Sequence, residues 1–392
     1  MKKQKIGIDI RSIGQKRTGD ETYTLNLVRE LLRIDKKNQY FLLTDIEKNE
    51  KIERKIFFGI KNKNAKIITV LPSSKFFWTF FLLPKMAKKL ELDILHVQYI
   101  VPFWLSKKVK LITTIADVSF KVYPEFINKL DLFFLNILIP LSLKRADKII
   151  AVSEFTRKEI IKYYQINFDK ITTIHNGEAN EIFFSKKQEN KKQILDKLGI
   201  KKPYLFYVGT HQPRKDIPTL IQAFLKLKIE HSQKKEIVNL QLVIGGRMNA
   251  HNYDPRIDEI LAEAKKNSEQ KTFLKDLIFT GYIKEDELPV LYQEADIFVF
   301  PSLYEGFGLP LLEAMISEVP VICSNIECSK EIGGSASEFY KAKDAKDLER
   351  ILLKVIINPK IKTKMVEKGL ENLKKYSWKK TAWKTLQVFL EK

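Results

Sequence analysis

Two glutamates in the second half of the chain have the type and spacing needed to hold a sugar-like ligand. Glu305 and Glu313 lie in the stretch EGFGLPLLEAM, with seven residues between them. We expect Glu305 to lie in a loop and Glu313 in the first turn of the next helix, where the helix dipole stabilises an ionised carboxylate. Because an ionised carboxylate accepts hydrogen bonds from hydroxyl groups, each glutamate can hold a different polyol, such as a ribose or a second sugar.

Arg214 and Lys215 are predicted to lie where an anion would bind. They follow the apolar run YLFYVGT and precede a predicted helix with Asp216 as its N-cap and Pro218 in its first turn. The two cations and the positive end of the helix dipole would face one place, which favours a dianion such as a diphosphate. Together the four side chains predict a diphosphate between two polyols.

The elements that position these residues alternate between strands and helices, twice over. This pattern predicts an α/β fold with two largely parallel sheets, each covered by helices on both faces. In such sheets, ligands bind outside the carboxyl ends of the strands, so we expect a cleft between two domains there. The predicted strands are KIGIDI, FLLTDI, KIITVL, DILHVQ, KLITTI and KIIAVS in the first half, and YLFYVGT, LQLVIGG, LIFTGYI, DIFVFPS and VPVICS in the second.

The domain boundary is predicted in the polar, lysine-rich segment between Asn176 and Pro203. We expect one domain over residues 1–178 and a second over residues 179–376. A last helix over residues 377–392 places apolar side chains on one face after a Ser377 cap, and that face must pack against something apolar. Its apolar residues are Trp378, Ala382, Leu386 and Phe389.

Composition indicates a cytoplasmic protein. The chain has 392 residues, 44% of them hydrophobic, which suits two domains better than one core. Cys323 and Cys328 are too few for a disulfide framework, and no cysteine–histidine cluster suggests zinc. The N-terminus lacks the apolar core of a signal peptide, and the apolar run over residues 132–143 is shorter than the ~20 residues of a membrane span.

The positive charge is concentrated in the first half of the chain. Lys and Arg number 69 against 48 Asp and Glu, a net charge of +21, and residues 51–110 hold 13 basic and 3 acidic side chains, a local +10. Within that range the lysines alternate with aromatic residues in SSKFFWTFFLLPKMAKKL. Two interpretations stay open: contact with an anionic membrane surface at the inner face of the cell membrane, and an ordinary amphipathic helix with a solvated lysine face. Nucleic acid is not an expected partner, since no motif for it occurs.

Several motifs together resemble family 4 of the glycosyltransferases, which are retaining enzymes of the two-domain GT-B fold that use nucleotide-sugar donors. The motifs are VGTHQPRKD, FTGYI, EADIFVFPSLYEGFGLPLLEAM and VPVICSN. The resemblance implies that Glu305 contacts the donor sugar, Glu313 the ribose, and Arg214 with Lys215 the diphosphate. It also implies that the C-terminal helix crosses back to the N-terminal domain.

Further donor contacts are implied by the same resemblance. The backbone of Phe307, Gly308 and Leu309 is expected on the sugar and phosphate, and Tyr282 with Ile283 around the base. Gly209 in VGT, Gly19 in the N-terminal loop and Asp117 near the donor sugar complete the predicted substrate-binding set, in which Arg214, Lys215 and Glu305 are the catalytic residues. No Asp-x-Asp occurs, so we expect no metal, and no cofactor besides a UDP- or GDP-type donor.

Three positions depart from the family pattern. Ala116 stands before Asp117 where a histidine is usual, and Glu21 and Glu318 stand where glycines are usual. Because glutamate has more restricted backbone angles than glycine, we expect both turns to differ in shape. The departures leave open a nucleotide-sugar-binding protein without transfer activity, and a nucleotide-sugar epimerase or a phosphorylase is a further alternative. Of the histidines, His96 is expected to end a strand and to face the cleft, and His231 and His251 to lie in solvent.

The sequence thus predicts a metal-independent hexosyltransferase. It would pass a mannose- or glucose-type hexose from a nucleoside diphosphate to a hydroxyl of a glycan or lipid-linked acceptor in envelope polysaccharide synthesis.

Overall fold

The structure, a computed structural model, describes residues 2–14, 19–46, 50–60, 64–70, 73–178, 190–247 and 252–391. The chain forms two compact units. The first comprises Met1–Val122, Lys129–Gly177 and Tyr376–Lys392, and the second comprises Tyr123–Asn128 and Glu178–Lys375.

The first unit contains a parallel sheet with strand order β3-β2-β1-β4-β5-β6-β7. Its strands are short and largely buried, as expected for a sheet with helices on both faces. They are β1 (Lys5–Asp9), β2 (Gln39–Thr44), β3 (Ala65–Thr69), β4 (Ile94–Gln98), β5 (Lys110–Ile115), β6 (Lys148–Ala151) and β7 (Ile171–Thr173). The helices are α1 (Gly19–Ile34), α2 (Glu50–Phe57), α3 (Lys75–Phe77), α4 (Leu83–Leu90), α5 (Ser119–Val122), α6 (Lys129–Arg145) and α7 (Glu154–Tyr164), with a π-helical segment, Trp78–Leu82, between α3 and α4.

The second unit contains a parallel sheet with strand order β10-β9-β8-β11-β12-β13. Its strands are β8 (Tyr204–Val208), β9 (Gln241–Gly245), β10 (Leu277–Gly281), β11 (Ile297–Phe300), β12 (Val321–Ser324) and β13 (Ser337–Tyr340). Its helices are α8 (Lys191–Lys197), α9 (Ile217–His231), α10 (Lys235–Val238), α11 (Arg256–Lys266), α12 (Ser268–Phe273), α13 (Leu288–Gln293), α14 (Leu309–Ile316), α15 (Glu327–Gly333), α16 (Ala345–Ile356) and α17 (Pro359–Leu373). The predicted pair of Rossmann-like sheets is therefore confirmed.

Each sheet reverses its strand order at one place, between β1 and β4 in the first unit and between β8 and β11 in the second. Two loops that leave neighbouring strands in opposite directions open a crevice at such a reversal, where doubly wound sheets bind ligands. In the second unit these are the loops after β8 and β11, which carry the predicted basic pair and Glu305.

The C-terminal helix α18 (Trp378–Leu390) packs against α1 in the first unit, as predicted. Trp378 is buried, and its ring meets Tyr23 edge-on at 6.2 Å between centroids. The predicted apolar face needs one correction, because Leu386 is only half-buried while Val388, Thr381 and Thr385 are buried in the same helix. Among the described residues, no helix combines the length and apolarity that crossing a membrane requires.

Candidate functional site

The three predicted catalytic residues form one ion cluster in the second unit. Arg214 Nη1 donates to Glu305 Oε2 at 3.1 Å and to the Tyr304 carbonyl oxygen at 3.2 Å. Lys215 Nζ donates to Glu305 Oε1, and the Lys215 and Glu305 side chains are 12% and 11% exposed. Two cations thus converge on one carboxylate at the carboxyl edge of the sheet.

Sheet topology and two further hydrogen bonds hold this cluster together. Because β8 and β11 are neighbours, the loops that follow them lie side by side. The backbone N–H of Leu303 donates to the Arg214 carbonyl oxygen at 2.7 Å, which joins the loops directly. Ser302 Oγ donates to Glu305 Oε1 at 2.7 Å, so this oxygen is held by Ser302 and Lys215 together. The basic pair itself lies in a 3₁₀ turn, Pro213–Lys215, just before α9.

The cluster keeps Glu305 ionised. Burial alone would raise the pKa of this carboxyl, but the charges of Lys215 and Arg214 and the bonds from Lys215 and Ser302 outweigh it and lower the pKa to about 2. Lys215 Nζ also lies 5.8 Å from the centre of the Phe300 ring. The site is therefore a compact ionic centre with two positive charges against one negative charge.

Glu313 lies one turn further into its helix than predicted. Helix α14 begins at Leu309, so Glu313 is its fifth residue and the first turn contains no acidic side chain. The expected stabilisation by the helix N-terminus is therefore wrong, because that effect is confined to the first turn. The Glu313 carboxylate is instead buried and accepts a hydrogen bond from the Tyr292 hydroxyl at 2.9 Å.

The loop before α14 has the conformation that its glycine requires. Gly308 is the N-cap of α14 with φ +94°, in the left-handed region that glycine adopts without strain. Phe307 is buried, and the Cys328 thiol donates a hydrogen bond to its carbonyl oxygen at 3.2 Å. Leu309 then opens the helix, with Pro310 next to it in the first turn. Phe307, Gly308 and Leu309, whose backbone is predicted to contact the sugar and phosphate, thus lie at the N-terminus of α14 and close to Glu305 in the chain.

Glycines also bring the backbone of two loops close together after β8 and β9. The N–H of Gly209 donates to the Gly245 carbonyl oxygen at 3.1 Å. A Cβ at Gly246, which has φ +129°, would lie 1.9 Å from the Gly209 carbonyl oxygen, so no other residue fits there. The sequence prediction included Gly209 but missed Gly246, although GG directly after a strand is a signal for such a close approach.

The predicted base-pocket residues differ in exposure. Ile283 is buried, and its Cδ1 would lie 2.4 Å from a Cβ at Gly245. Tyr282 is half-exposed, and the Arg247 guanidinium lies 5.2 Å from the centre of its ring. Arg247 was not predicted, because a single arginine after a strand carries no recognisable pattern.

Asp216 lies next to the basic pair, and its sequence position predicted only a capping role. It is the N-cap residue of α9, but its side chain caps no backbone N–H, and its φ of +48° is unusual for a residue with a side chain. Its carboxyl is 1% exposed, and burial raises its pKa to about 6 despite the hydrogen bond from the Thr219 side chain and the nearby charge of Arg256. The site therefore includes a third buried carboxyl besides Glu305 and Glu313, with a pKa above that of an exposed aspartate.

The two predicted residues of the first unit lie at the carboxyl edge of its sheet. Gly19 is the first residue of α1. Asp117 follows β5, and its Oδ1 accepts the backbone N–H of Ser119 at 3.0 Å at the start of α5. Burial, and next the charge of Asp117, raise the pKa of Asp20, which places the beginning of α1 close to Asp117.

Comparison with known families decides the affiliation of the chain. The family described as Glycosyl transferases group 1 matches residues 188–372, and the one described as Glycosyltransferase Family 4 matches residues 17–177. The chain belongs to glycosyltransferase family 4.

Relatives of this glycosyltransferase include bacterial sugar transferases. It is 28% identical to the O-antigen chain mannosyltransferase B of Escherichia coli over 71% of this chain and 70% of that protein. It is 29% identical to the serotype-specific mannosyltransferase WbdA of Escherichia coli over 66% of this chain, a match that spans only 30% of that longer protein. A glycosyltransferase structure from Rickettsia africae superimposes with a TM-score of 0.73 at 20% identity, covering 100% of this chain and 99% of that one, which supports the GT-B fold.

Two of the three departures from the family 4 pattern, Glu21 and Glu318, have a local structural account. Glu21 lies inside α1 and is buried; its Oε1 accepts the N–H of Gly14 at 3.1 Å and pairs with Lys55 Nζ at 3.2 Å. Glu318 has φ +60°, so this turn keeps a left-handed conformation that glycine favours, and the expected change of shape is not seen there. The Ala116 carbonyl oxygen accepts a hydrogen bond from Thr156 Oγ1 at 3.0 Å, and nothing in the structure explains the alanine itself.

The histidine predictions were wrong where the structure tests them. His96 lies inside β4 and is buried; its Nε2 is 2.8 Å from Thr114 Oγ1, and burial lowers its pKa to about 4. His231 Nε2 lies 3.1 Å from Glu349 Oε1, so it pairs with a buried carboxylate. Glu230, His231 and Glu349 are the one group of metal-ligand type among the described residues. Glu230 pairs with Lys226, and Glu349 lies within hydrogen-bond distance of His231, so both carboxylates have partners within the protein. His251 lies outside the described residues.

Proposed function

We propose that this glycosyltransferase moves a mannose- or glucose-type hexose from a nucleoside diphosphate to a hydroxyl group of a glycan or lipid-linked acceptor in envelope polysaccharide synthesis. The convergence of Arg214 and Lys215 on Glu305 carries the proposal, because it places two cations in a partly desolvated crevice at a sheet reversal. The mannosyltransferase names of its relatives favour mannose and a polysaccharide acceptor.

In this proposal the basic pair stabilises the leaving group. As the bond between the sugar and the diphosphate breaks, negative charge grows on the phosphate oxygens, and preorganised cations lower the energy of that charge. Glu305 then holds a sugar hydroxyl. The acceptor oxygen attacks the face from which the diphosphate leaves, and its proton passes to the leaving phosphate, so the configuration is retained.

The remaining donor contacts follow the family pattern. Glu313, oriented by Tyr292, would accept from the ribose hydroxyls, and the backbone of Phe307, Gly308 and Leu309 would contact the sugar and phosphate. Gly209 would let the diphosphate approach the loop after β8. Tyr282 and Ile283 would contact the base of a UDP- or GDP-type donor. The roles of Gly19 and Asp117 toward the donor sugar stay predictions.

Two experiments test the proposal. A thermal-shift panel of UDP, GDP, dTDP and ADP sugars should raise the melting temperature with one nucleotide class, and Glu313→Ala should weaken that shift. With the donor so identified, transfer of a labelled sugar should fall roughly 100-fold or more in Arg214→Ala and in Lys215→Ala. Lys265→Ala, an exposed lysine of α11, is the control and should transfer normally. Unchanged kcat in both site variants would contradict the proposal.

A nucleotide-sugar-binding protein without transfer activity is the second candidate, favoured by Ala116 in front of Asp117. It predicts donor binding without product. A gain of transfer in Ala116→His would assign the lost activity to the missing histidine, and no gain would leave that histidine irrelevant. We further propose that transfer needs no metal and that the protein works in the cytoplasm. Transfer that survives EDTA would support the first point, and loss of transfer that Mg²⁺ restores would contradict it.

A further inference from the structure

A group of large aromatic side chains lies in solvent on the first unit. Phe76, Phe77, Phe81 and Trp104 are 54%, 49%, 48% and 67% exposed. We call them, with the surrounding lysines, the aromatic–lysine patch. The lysines, all exposed, are Lys75, Lys85, Lys88, Lys89, Lys107 and Lys108.

Buried rings hold the exposed ones in place. Phe77 stacks on Phe81 at 5.2 Å, and Trp104 lies 5.8 Å from Phe81 and 6.2 Å from the buried Phe80. Trp78 in the same segment is buried, with its indole N–H bonded to Asp9 Oδ2 at 3.0 Å. The exposed rings are therefore fixed on a packed base, so their exposure is a property of the fold.

The patch is strongly positive. Residues 75–90, KFFWTFFLLPKMAKKL, hold four lysines and no aspartate or glutamate. The next acidic residue, Glu91, is engaged by Lys5 Nζ at 2.7 Å. Aromatic rings beside lysines, in a segment without acidic residues, are the composition that binds a membrane interface, with the rings among the lipid head groups and the lysines facing anionic lipids.

Helix α6 adds a second exposed apolar face in the same unit. Leu130, Phe133, Phe134, Ile137 and Leu141 follow one helical face and are each more than 40% exposed, whereas Ile139 and Leu143 are buried. The loop that carries Trp104 is bonded to this helix. Val101 N–H donates to Ser142 Oγ at 3.1 Å, and Arg145 Nη2 donates to the Leu105 carbonyl oxygen at 2.9 Å.

We infer that the aromatic–lysine patch and the outward face of α6 bind the surface of an anionic lipid bilayer. A second copy of the chain fits less well, because a two-fold dimer through the patch would bring two lysine clusters together with no acidic residue of the segment to balance them. The inference rests on the proposed function only in that a lipid-linked acceptor would be found at such a surface.

Vesicle co-sedimentation of the full chain, without any nucleotide sugar, tests the inference. We expect binding to phosphatidylcholine vesicles that contain phosphatidylglycerol, and weak binding to phosphatidylcholine alone. Phe77→Ser with Trp104→Ser should lower the partition coefficient roughly tenfold or more through the lost apolar contact. The matched control is Phe168→Ser with Trp383→Ser, an equally exposed phenylalanine and tryptophan outside the patch, which should bind normally.

A charge variant tests the contribution of the lysines to membrane binding and leaves the exposed aromatic side chains unchanged. Lys85→Gln, Lys88→Gln and Lys89→Gln together should lower binding to the anionic vesicles about 100-fold, the change that about 1 kcal/mol per lysine implies. Lys360→Gln, Lys364→Gln and Lys374→Gln, exposed positions in or next to α17, make the same charge change and should have little effect. Added salt should weaken binding of the unaltered protein.

Equal binding to both vesicle types, or equal losses of binding in the patch and control variants, would overturn the inference. It would also be overturned if no vesicles bound the protein and its light-scattering mass fell in Phe77→Ser with Trp104→Ser, because the patch would then join two copies of the chain. Unchanged binding in Phe133→Ser with Phe134→Ser would overturn the part assigned to α6. Since no donor is present, these results are independent of transfer activity, and a failure of transfer would leave vesicle binding intact.

Discussion

At the scale of single residues, Glu305 balances the charge of the candidate site, and we predict a pH-dependent cost of neutralising it. Glu305→Gln should lower the free energy of unfolding by about 3 kcal/mol at pH 7, because a carboxyl whose pKa falls to about 2 on folding contributes stability whenever it is ionised. That contribution is present above the unfolded pKa and is lost as the pH falls toward 2. Urea unfolding at pH 7 and at pH 3 measures the difference.

The same variant tests whether the two cations form an anion site. With Glu305 neutral, Arg214 and Lys215 lose their counter-charge, so inorganic pyrophosphate should stabilise Glu305→Gln more than the unaltered protein. Ser302→Ala, which removes only the hydroxyl donor to Glu305, serves as the control and should respond to pyrophosphate like the unaltered protein. Equal responses in all three proteins would show that Glu305 does not compete with the anion.

Ionisation of Asp216 should lower the free energy of unfolding, whereas ionisation of Glu305 should raise it. Because burial raises the pKa of Asp216 to about 6, the folded state binds more protons than the unfolded state between about pH 4 and 6, and stability falls as the pH rises through that range. Asp216→Asn removes the charge and keeps a side chain that tolerates positive φ. It should raise the free energy of unfolding by about 2 to 3 kcal/mol at pH 8 and have little effect at pH 4, as followed by urea unfolding.

Sequence reasoning found the site residues whose position follows from topology and missed those whose position follows from packing. Arg214, Lys215 and Glu305 could be brought together in advance, since each follows a strand of a parallel sheet. Glu313 was placed one turn too early, because the left-handed N-cap at Gly308 fixes where α14 starts and the sequence does not show which residue adopts it. The burial of Asp216 depends on contacts from distant segments, which no local pattern encodes.

At the scale of elements, the turn after α14 stores strain at Glu318. A residue with a Cβ costs roughly 1 to 2 kcal/mol in the left-handed region, and Glu318 has φ +60°. Glu318→Gly should therefore raise the free energy of unfolding by about 1 kcal/mol, as measured by thermal and urea unfolding. The control is Glu367→Gly, an exposed glutamate inside α17, which should lower stability by about 1 kcal/mol. Stabilisation in both variants, or in neither, would exclude the strain at Glu318.

The strands could be predicted wherever their residues were apolar on both faces. All the predicted strands form, but β7 and β13 were missed, and both lie at the edges of their sheets. Their sequences, ITT and SEFY, are short, and β13 has two half-buried residues between buried ends. The other two edge strands, β3 and β10, were predicted because each lies in a longer apolar run, so the length of the apolar run decided which edge strands could be recognised.

At the scale of the whole molecule, the chain passes between its two units more often than one linear boundary would suggest. Tyr123–Asn128 belongs with the second unit, although the residues on both sides of it belong with the first, and Tyr376–Lys392 returns to the first. The return of the last helix was expected from its apolar face and from the family resemblance. The assignment of Tyr123–Asn128 to the second unit could not be predicted, because six residues are too few to show a change in composition.

The docking of α18 allows a prediction about the two units separately. Gly177 lies under the start of this helix, and a Cβ there would be 2.2 Å from the Trp378 backbone nitrogen and 2.5 Å from its ring. Since backbone cannot move aside cheaply, Gly177→Ala should displace α18 and cost the first unit about 2 kcal/mol. Hydrogen exchange should accelerate in α1 and α18 and stay unchanged in the strands of the second unit.

Gly19→Ala, where a Cβ meets nothing within 4 Å, is the matched control and should exchange normally. Faster exchange in both units would mean that α18 stabilises the whole molecule, and no change would mean that Gly177 is not needed for its docking.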